Sequence, residues 1–141
     1  MTIAVIHWSG TGNTERMAEL AAKAIKASGK EVEEYTFASA PANIIEKADI
    51  LVLGAPAMGE EEIDDPDILS FLNDAEKKIS GKKLALFGSY GWGDGEWMRL
   101  WEERMTKTGA NIITESLIVL GSPEGDDENK CIEFGKAVAN G

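Results

Sequence analysis

An α/β fold, a doubly wound five-stranded parallel sheet with helices on both faces, is what this 141-residue sequence predicts. Apolar runs recur at wide spacing, each closed by glycine or a turn-rich loop, and between them apolar residues step by three and four. Strand and helix alternating five times is the pattern of a parallel sheet with both sides covered. The runs are also continuously apolar rather than alternating, as strands buried on both faces must be.

The first strand is Ile3–Trp8, and the helix after it puts Met17, Leu20, Ala21 and Ala24 on one face before Gly29 closes it. A weaker strand runs from Val32 to Phe37, followed by a short helix over Asn43–Lys47. The third strand, Ile50–Leu53, ends at Gly54, and the fourth, Leu84–Phe87, ends at Gly88. The fifth, Ile112–Leu120, ends at Gly121 and is interrupted only by Glu115-Ser116. Three further helical stripes are Ile68/Leu72/Ala75/Ile79, Met98/Trp101/Met105 and Cys131/Phe134/Val138. Trp97 and Trp101 are four apart, share a helix face and read as core packing, with Trp97 near the Trp92 loop. No linker, repeat or low-complexity segment divides the chain, so residues 1–141 are expected to form one domain.

A net charge of −11 argues against nucleic acid, whose phosphates would be repelled, and suits a partner with a basic face. No apolar run approaches the roughly 20 residues that cross a bilayer, and no signal-peptide pattern opens the chain. No membrane association and a cytoplasmic location are therefore expected. Cys131 is the only cysteine, which excludes an internal disulfide and any multi-cysteine metal or iron–sulfur site. It reads as a small buried residue of the last helix.

In sheets of this kind ligands sit outside the carboxyl ends of the strands, at the switch point of the winding order. The loops after strands one, three and four are the ones to read. Loop one is Ser9-Gly10-Thr11-Gly12-Asn13-Thr14, small and hydroxyl-rich, between a strand and a helix N-terminus. That geometry gathers backbone N–H groups around an anion. It contains no Lys or Arg, so it is not a nucleoside-triphosphate loop, and Glu15 replaces the third glycine of the dinucleotide fingerprint. It suits one terminal phosphate held by neutral donors. Loop two is Ala55-Pro56-Ala57-Met58-Gly59-Glu60-Glu61-Glu62, and loop three is Ser89-Tyr90-Gly91-Trp92-Gly93-Asp94-Gly95-Glu96-Trp97. Each places a large apolar side chain, Met58 or Trp92, among small residues. A planar aromatic group clamped between Met58 and Trp92, its phosphate tail in loop one, satisfies all three loops.

Ser-Gly-Thr-Gly-Asn-Thr after the first strand, Ala-Met-Gly with an acidic residue after the third, and Gly-Ser-Tyr-Gly-Trp-Gly after the fourth resemble flavodoxins. The resemblance covers essentially the whole chain and is nearest to the short-chain type of anaerobic bacteria, because the fifth strand lacks the long insertion of the long-chain group. It implies a flavodoxin-like fold and a low-potential one-electron carrier using non-covalently bound FMN, cycling between semiquinone and hydroquinone. It implies no catalytic residue, no metal and no enzymatic turnover. By the same resemblance Ser9, Gly10, Thr11, Gly12, Asn13 and Thr14 hold the ribityl phosphate. Pro56, Ala57, Met58, Gly59, Glu60 and Glu61 line the ring on one side, and Ser89, Tyr90, Gly91, Trp92 and Gly93 on the other. Met58 lies on the inner face of the isoalloxazine and Trp92 stacks on the outer one. The Met58–Gly59 peptide faces flavin N5, and Glu61 accepts from N3–H. His7, where relatives often carry Tyr, reads as strand packing, and Pro56 lacks the hydroxyl of relatives with Ser. The expected partners are redox proteins with basic docking surfaces, both reductases and low-potential electron acceptors, met by a monomer. The alternative is a small FMN-dependent reductase on the same fold. A signalling receiver is disfavoured, since strands one and three end in Trp8 and Gly54 and no Asp precedes Asp49.

Overall fold

The computed structural model describes residues 2–8, 12–58, 65–91 and 93–141. In chain order it forms β1 (Thr2–His7), α1 (Asn13–Ala27), β2 (Glu31–Thr36), α2 (Ile44–Lys47), β3 (Ile50–Gly54) and α3 (Pro66–Ala75). There follow β4 (Lys83–Tyr90), α4 (Glu96–Lys107), β5 (Asn111–Ile112), β6 (Leu117–Leu120) and α5 (Asp126–Ala139). All strand pairs are parallel, in the order β2-β1-β3-β4, with β5 and β6 both lying along the outer side of β4.

The continuous apolar strands settle the layering. Ile3, Val5, Ile50, Val52, Ala85 and Phe87 face α1 and α5 in one core. Ala4, Ile6, Leu51, Leu53, Leu84 and Leu86 face α2, α3 and α4 in the other. Alternate residues of each strand thus serve opposite cores, as the two-residue period requires, and the central strand β3 is buried along its whole length. At roughly 1.5–3 kcal/mol for each fully buried large side chain, these two cores are the main source of stability. The edge strand β2 has no fully buried residue. Its Glu33 accepts from Tyr35 Oη at 2.5 Å and from Lys47 Nζ at 3.2 Å; charge of this kind blunts an exposed sheet edge.

Three expected elements differ in detail. The fifth strand is split: Leu84 pairs with Ile112 and Phe87 with Leu117, so two residues of β4 face four of its neighbour. An even excess leaves the side-chain alternation in phase. Ile112 and Ile118 therefore stay with one core and Leu117 and Val119 with the other. The fourth strand continues past Gly88 to Tyr90, because β6 supplies Ser89 and Tyr90 with partners in Val119 and Leu120. Finally, α3 ends at Ala75, before Ile79, which turns of chain still deliver to the core, its N–H donating to Ala75 O at 2.8 Å.

Candidate functional site

The winding order reverses between β1 and β3, so a crevice opens beyond their carboxyl ends. Loop one leaves β1 there, loop two leaves β3, and the loop after β4 closes the third side. Ser9, Gly10 and Thr11, residues Gly59 to Asp64, and Trp92 lie outside the described residues. The roots of all three loops lie within them.

Gly12 is the N-cap of α1 with φ +93°, a left-handed conformation that suits glycine, and no side chain caps the helix from this position. The helical ladder begins with Arg16 N–H donating to Gly12 O at 2.9 Å. The backbone N–H groups of Asn13, Thr14 and Glu15 precede it and have no helical acceptor, and the positive end of the helix dipole lies there as well. Thr14 is 1% exposed, and its Oγ1 stands 3.1 Å from Ser89 Oγ on β4. Two buried hydroxyls thus join the first turn of α1 to the end of a central strand.

Loop two begins as an extension of β3. Ala55 N–H donates to Phe87 O at 3.1 Å and Ala57 N–H to Ser89 O at 3.0 Å. Pro56 is buried and Ala57 and Met58 are half-buried. The chain approaches β4 so closely that a Cβ on Gly88 would collide with the Ala55 carbonyl oxygen and lie 3.1 Å from Trp97 Cζ2. Ser89 and Tyr90 belong to β4 rather than to loop three, which starts at Gly91. Gly91 and Gly93 are exposed, and a Cβ on Gly91 would meet nothing within 4 Å. Tyr90 packs on the Trp97 ring with centroids 5.5 Å apart.

Two anchors went unread in the sequence. Asp65 accepts at Oδ1 from Trp8 Nε1 at 3.2 Å, while its Oδ2 caps α3 by accepting from Asp67 N–H at 3.0 Å and Ile68 N–H at 3.2 Å. One carboxylate therefore ties Trp8, the residue before loop one, to the N-terminus of α3. The signal was present: Asp before Pro66 is an N-cap followed by proline at the first helical position. The second anchor is Trp97, whose buried indole donates from Nε1 to Ala55 O at 3.1 Å. The core packing expected for Trp97 and Trp101 is found, at 1% and 2% exposure. Cys131 is likewise buried, and burial pushes its thiol up to about 11.

His7 ends β1 as strand packing, half-buried, with its Nδ1 buried and unpartnered among the described residues. Burial lowers its pKa, against the opposing pull of Glu15, Glu34, Glu19 and the Tyr35 backbone. It borders a cavity of about 130 Å³ together with Trp8, Thr36 and Asp65. A wider open groove of about 550 Å³ follows the sheet edge between β6 and α5. The buried Thr14–Ser89 hydroxyl pair lies away from it, at the strand ends. No described helix is long and apolar enough to cross a membrane, and no described cluster of His, Cys, Asp and Glu could hold a metal ion.

The flavodoxin family model matches residues 5–135. The chain is 49% identical to a flavodoxin of Clostridium beijerinckii over 136 residues, 96% of this chain and 98% of that one. It is 42% identical to a flavodoxin of Megasphaera elsdenii over 137 residues, 97% and 98% of the two chains. The solution structure of the two-electron reduced Megasphaera elsdenii flavodoxin superposes with a TM-score of 0.89 at 41% identity, covering 99% of both chains. Relatives named flavodoxin and matched along nearly their whole length favour a carrier over a small FMN-dependent reductase. With the doubly wound sheet, the three loop motifs and these likenesses in agreement, the chain belongs to the flavodoxin family of small, non-enzymatic electron carriers that use FMN.

Proposed function

We propose that this chain, as one domain of residues 1–141, holds a single non-covalent FMN beyond the carboxyl ends of β1, β3 and β4 and transfers electrons at low potential. The observation that carries the placement is the buried Thr14–Ser89 hydroxyl pair at the N-terminus of α1, whose N-cap Gly12 has no side chain to cap it. Neutral donors at a positive helix end suit a phosphate, and the open space at Gly91 leaves room for a flat group beside the loop after β4. The residues present therefore fit FMN. When bound, FMN supplies the redox couple, accepting and returning one electron at a time.

In this reading Ser9–Thr14 bind the phosphate, while Met58 and Trp92 hold the two faces of the ring. Pro56, Ala57, Gly59, Glu60 and Glu61 line its edge on one side, and Ser89, Tyr90, Gly91 and Gly93 on the other. Glu61 would accept a hydrogen bond from a ring N–H. The acidic residues 60–62 disfavour added negative charge nearby, which lowers the potential. The partners are redox proteins with basic docking surfaces, met by a monomer in the cytoplasm.

FMN and riboflavin titrated into the apoprotein and followed by flavin fluorescence test the site. FMN should bind far more tightly, since the donors of loop one serve only a ligand with phosphate; equal affinities overturn the assignment. Electron transfer to a basic acceptor should slow steeply as salt rises above about 0.1 M, where the Debye length is near 10 Å. A rate indifferent to salt would replace the basic partner with an apolar docking mode.

A further inference from the structure

We infer that Trp97 is a positioning residue for the ring end of the cofactor site, acting through the Ala55 carbonyl and leaving the phosphate end untouched. The inference rests on the proposed placement of the ring against the Ala57–Met58 segment. Trp97 sits in the first turn of α4, is 1% exposed, and sends its indole N–H past Gly88 to Ala55 O at 3.1 Å. Only a residue without a Cβ at position 88 leaves that line open. Ala55 is itself fully buried, and a buried carbonyl that loses its donor is costly.

Two residues beyond that carbonyl, Ala57 N–H donates to Ser89 O at 3.0 Å, and Met58 follows Ala57 in the chain. The indole therefore holds one side of the Ala55–Ala57 segment while β4 holds the other. Tyr90, packed on the same indole, lets Trp97 set the spacing between the roots of loops two and three. Its hydrogen bond goes to Ala55 and its ring contact to Tyr90, at the roots of loops two and three, and neither partner belongs to loop one.

The molecule contains its own control. Trp101 lies one helical turn later on the same face, is buried to 2%, and its Nε1 has no hydrogen-bond partner among the described residues. Trp97→Phe and Trp101→Phe each trade an indole for a smaller buried ring, and only the first removes a bond to loop two.

Apoprotein stability in urea, exchange of the Ala57 amide, and affinities for FMN and riboflavin should be measured for both variants. In Trp97→Phe the Ala57 amide should exchange about ten-fold faster than the loss of global stability explains. FMN and riboflavin should both weaken by a similar factor, on the order of ten, the scale of one ordinary buried hydrogen bond. Their ratio should stay that of the unaltered chain. In Trp101→Phe both affinities should remain within about two-fold, whatever stability is lost. Equal affinity losses in the two variants, or a loss for FMN without one for riboflavin, overturn the inference.

A measurement on the unaltered chain covers the case in which Trp97→Phe does not fold. Riboflavin should slow exchange of the Trp97 indole proton and inorganic phosphate should not; equal slowing by both, or none by riboflavin, overturns it. Failure of the unaltered chain to bind FMN would instead overturn the site itself, so the two failures are distinguishable.

Discussion

At the end of β1 polar side chains add to the backbone bond from Trp8 N–H to Gly54 O: Thr14 Oγ1 meets Ser89 Oγ, and Asp65 takes the Trp8 indole together with two backbone N–H groups of α3. At the ends of β3 and β4 the anchors are backbone and packing. Ala55 and Ala57 pair with Phe87 and Ser89, Gly88 admits the close approach, and Trp97 closes over it. The difference separates two tasks. A polar cradle stabilises little until an anion arrives to use its donors, whereas a packed wall has its shape whether or not a ligand is present. The phosphate end should therefore govern which ligand binds, and the ring end should govern how any flavin is held.

Substitutions can break that division, and the largest effect is expected at the packed wall. Gly88→Ala drives a methyl into the Ala55 carbonyl and against Trp97. It should cost about 3 kcal/mol of stability in urea unfolding and weaken FMN and riboflavin together. Weakening of FMN alone would erase the distinction between the ends. Thr14→Ala tests the polar end: a hydrogen bond to a charged group carries roughly 1.5–3 kcal/mol, so FMN should weaken ten-fold or more. Riboflavin affinity should be unchanged, and a parallel fall in both would place Thr14 in the wall rather than in the cradle.

Asp65→Ala sharpens the comparison, because this carboxylate serves both loops. Loss of the α3 cap should cost about 1 kcal/mol, read as a lower urea midpoint, with FMN and riboflavin affinities falling by similarly small factors. The smallest effect is expected from His7, at the margin of the polar end. Its folded pKa is lowered by burial, so the unfolded chain binds the proton more readily. Stability should decline as pH falls below about 6.5, the unfolded value, and level off once the folded imidazole is also charged. His7→Gln should remove that component from a series of urea midpoints against pH; an unaltered profile would show that the histidine contributes nothing.

Much of this molecule was legible in the sequence. The continuous runs Ile3–Ile6 and Ile50–Leu53 can be satisfied only in a sheet covered on both faces, and the stripes led by Met17, Ile68, Met98 and Cys131 supply the covering helices. Local periodicity suffices for such elements because it records which faces avoid water. The start of α1 was legible for a related reason: a run of small residues between an apolar strand and a helical stripe marks a helix N-terminus, and Gly12 is its N-cap.

Tertiary structure alone decided what depends on residues distant in sequence. Whether the fifth strand stays whole depends on its register against β4, and the offset between Ile112 and Leu117 is set by a neighbour some thirty residues away. That Trp97 holds Ala55, that the Trp101 Nε1 one turn later has no partner among the described residues, and that Asp65 accepts from the Trp8 indole are equally non-local. Two tryptophans on one face of a helix are the same in a hydrophobic pattern. A hydrogen bond distinguishes them, and its acceptor is placed by the packing of a different strand.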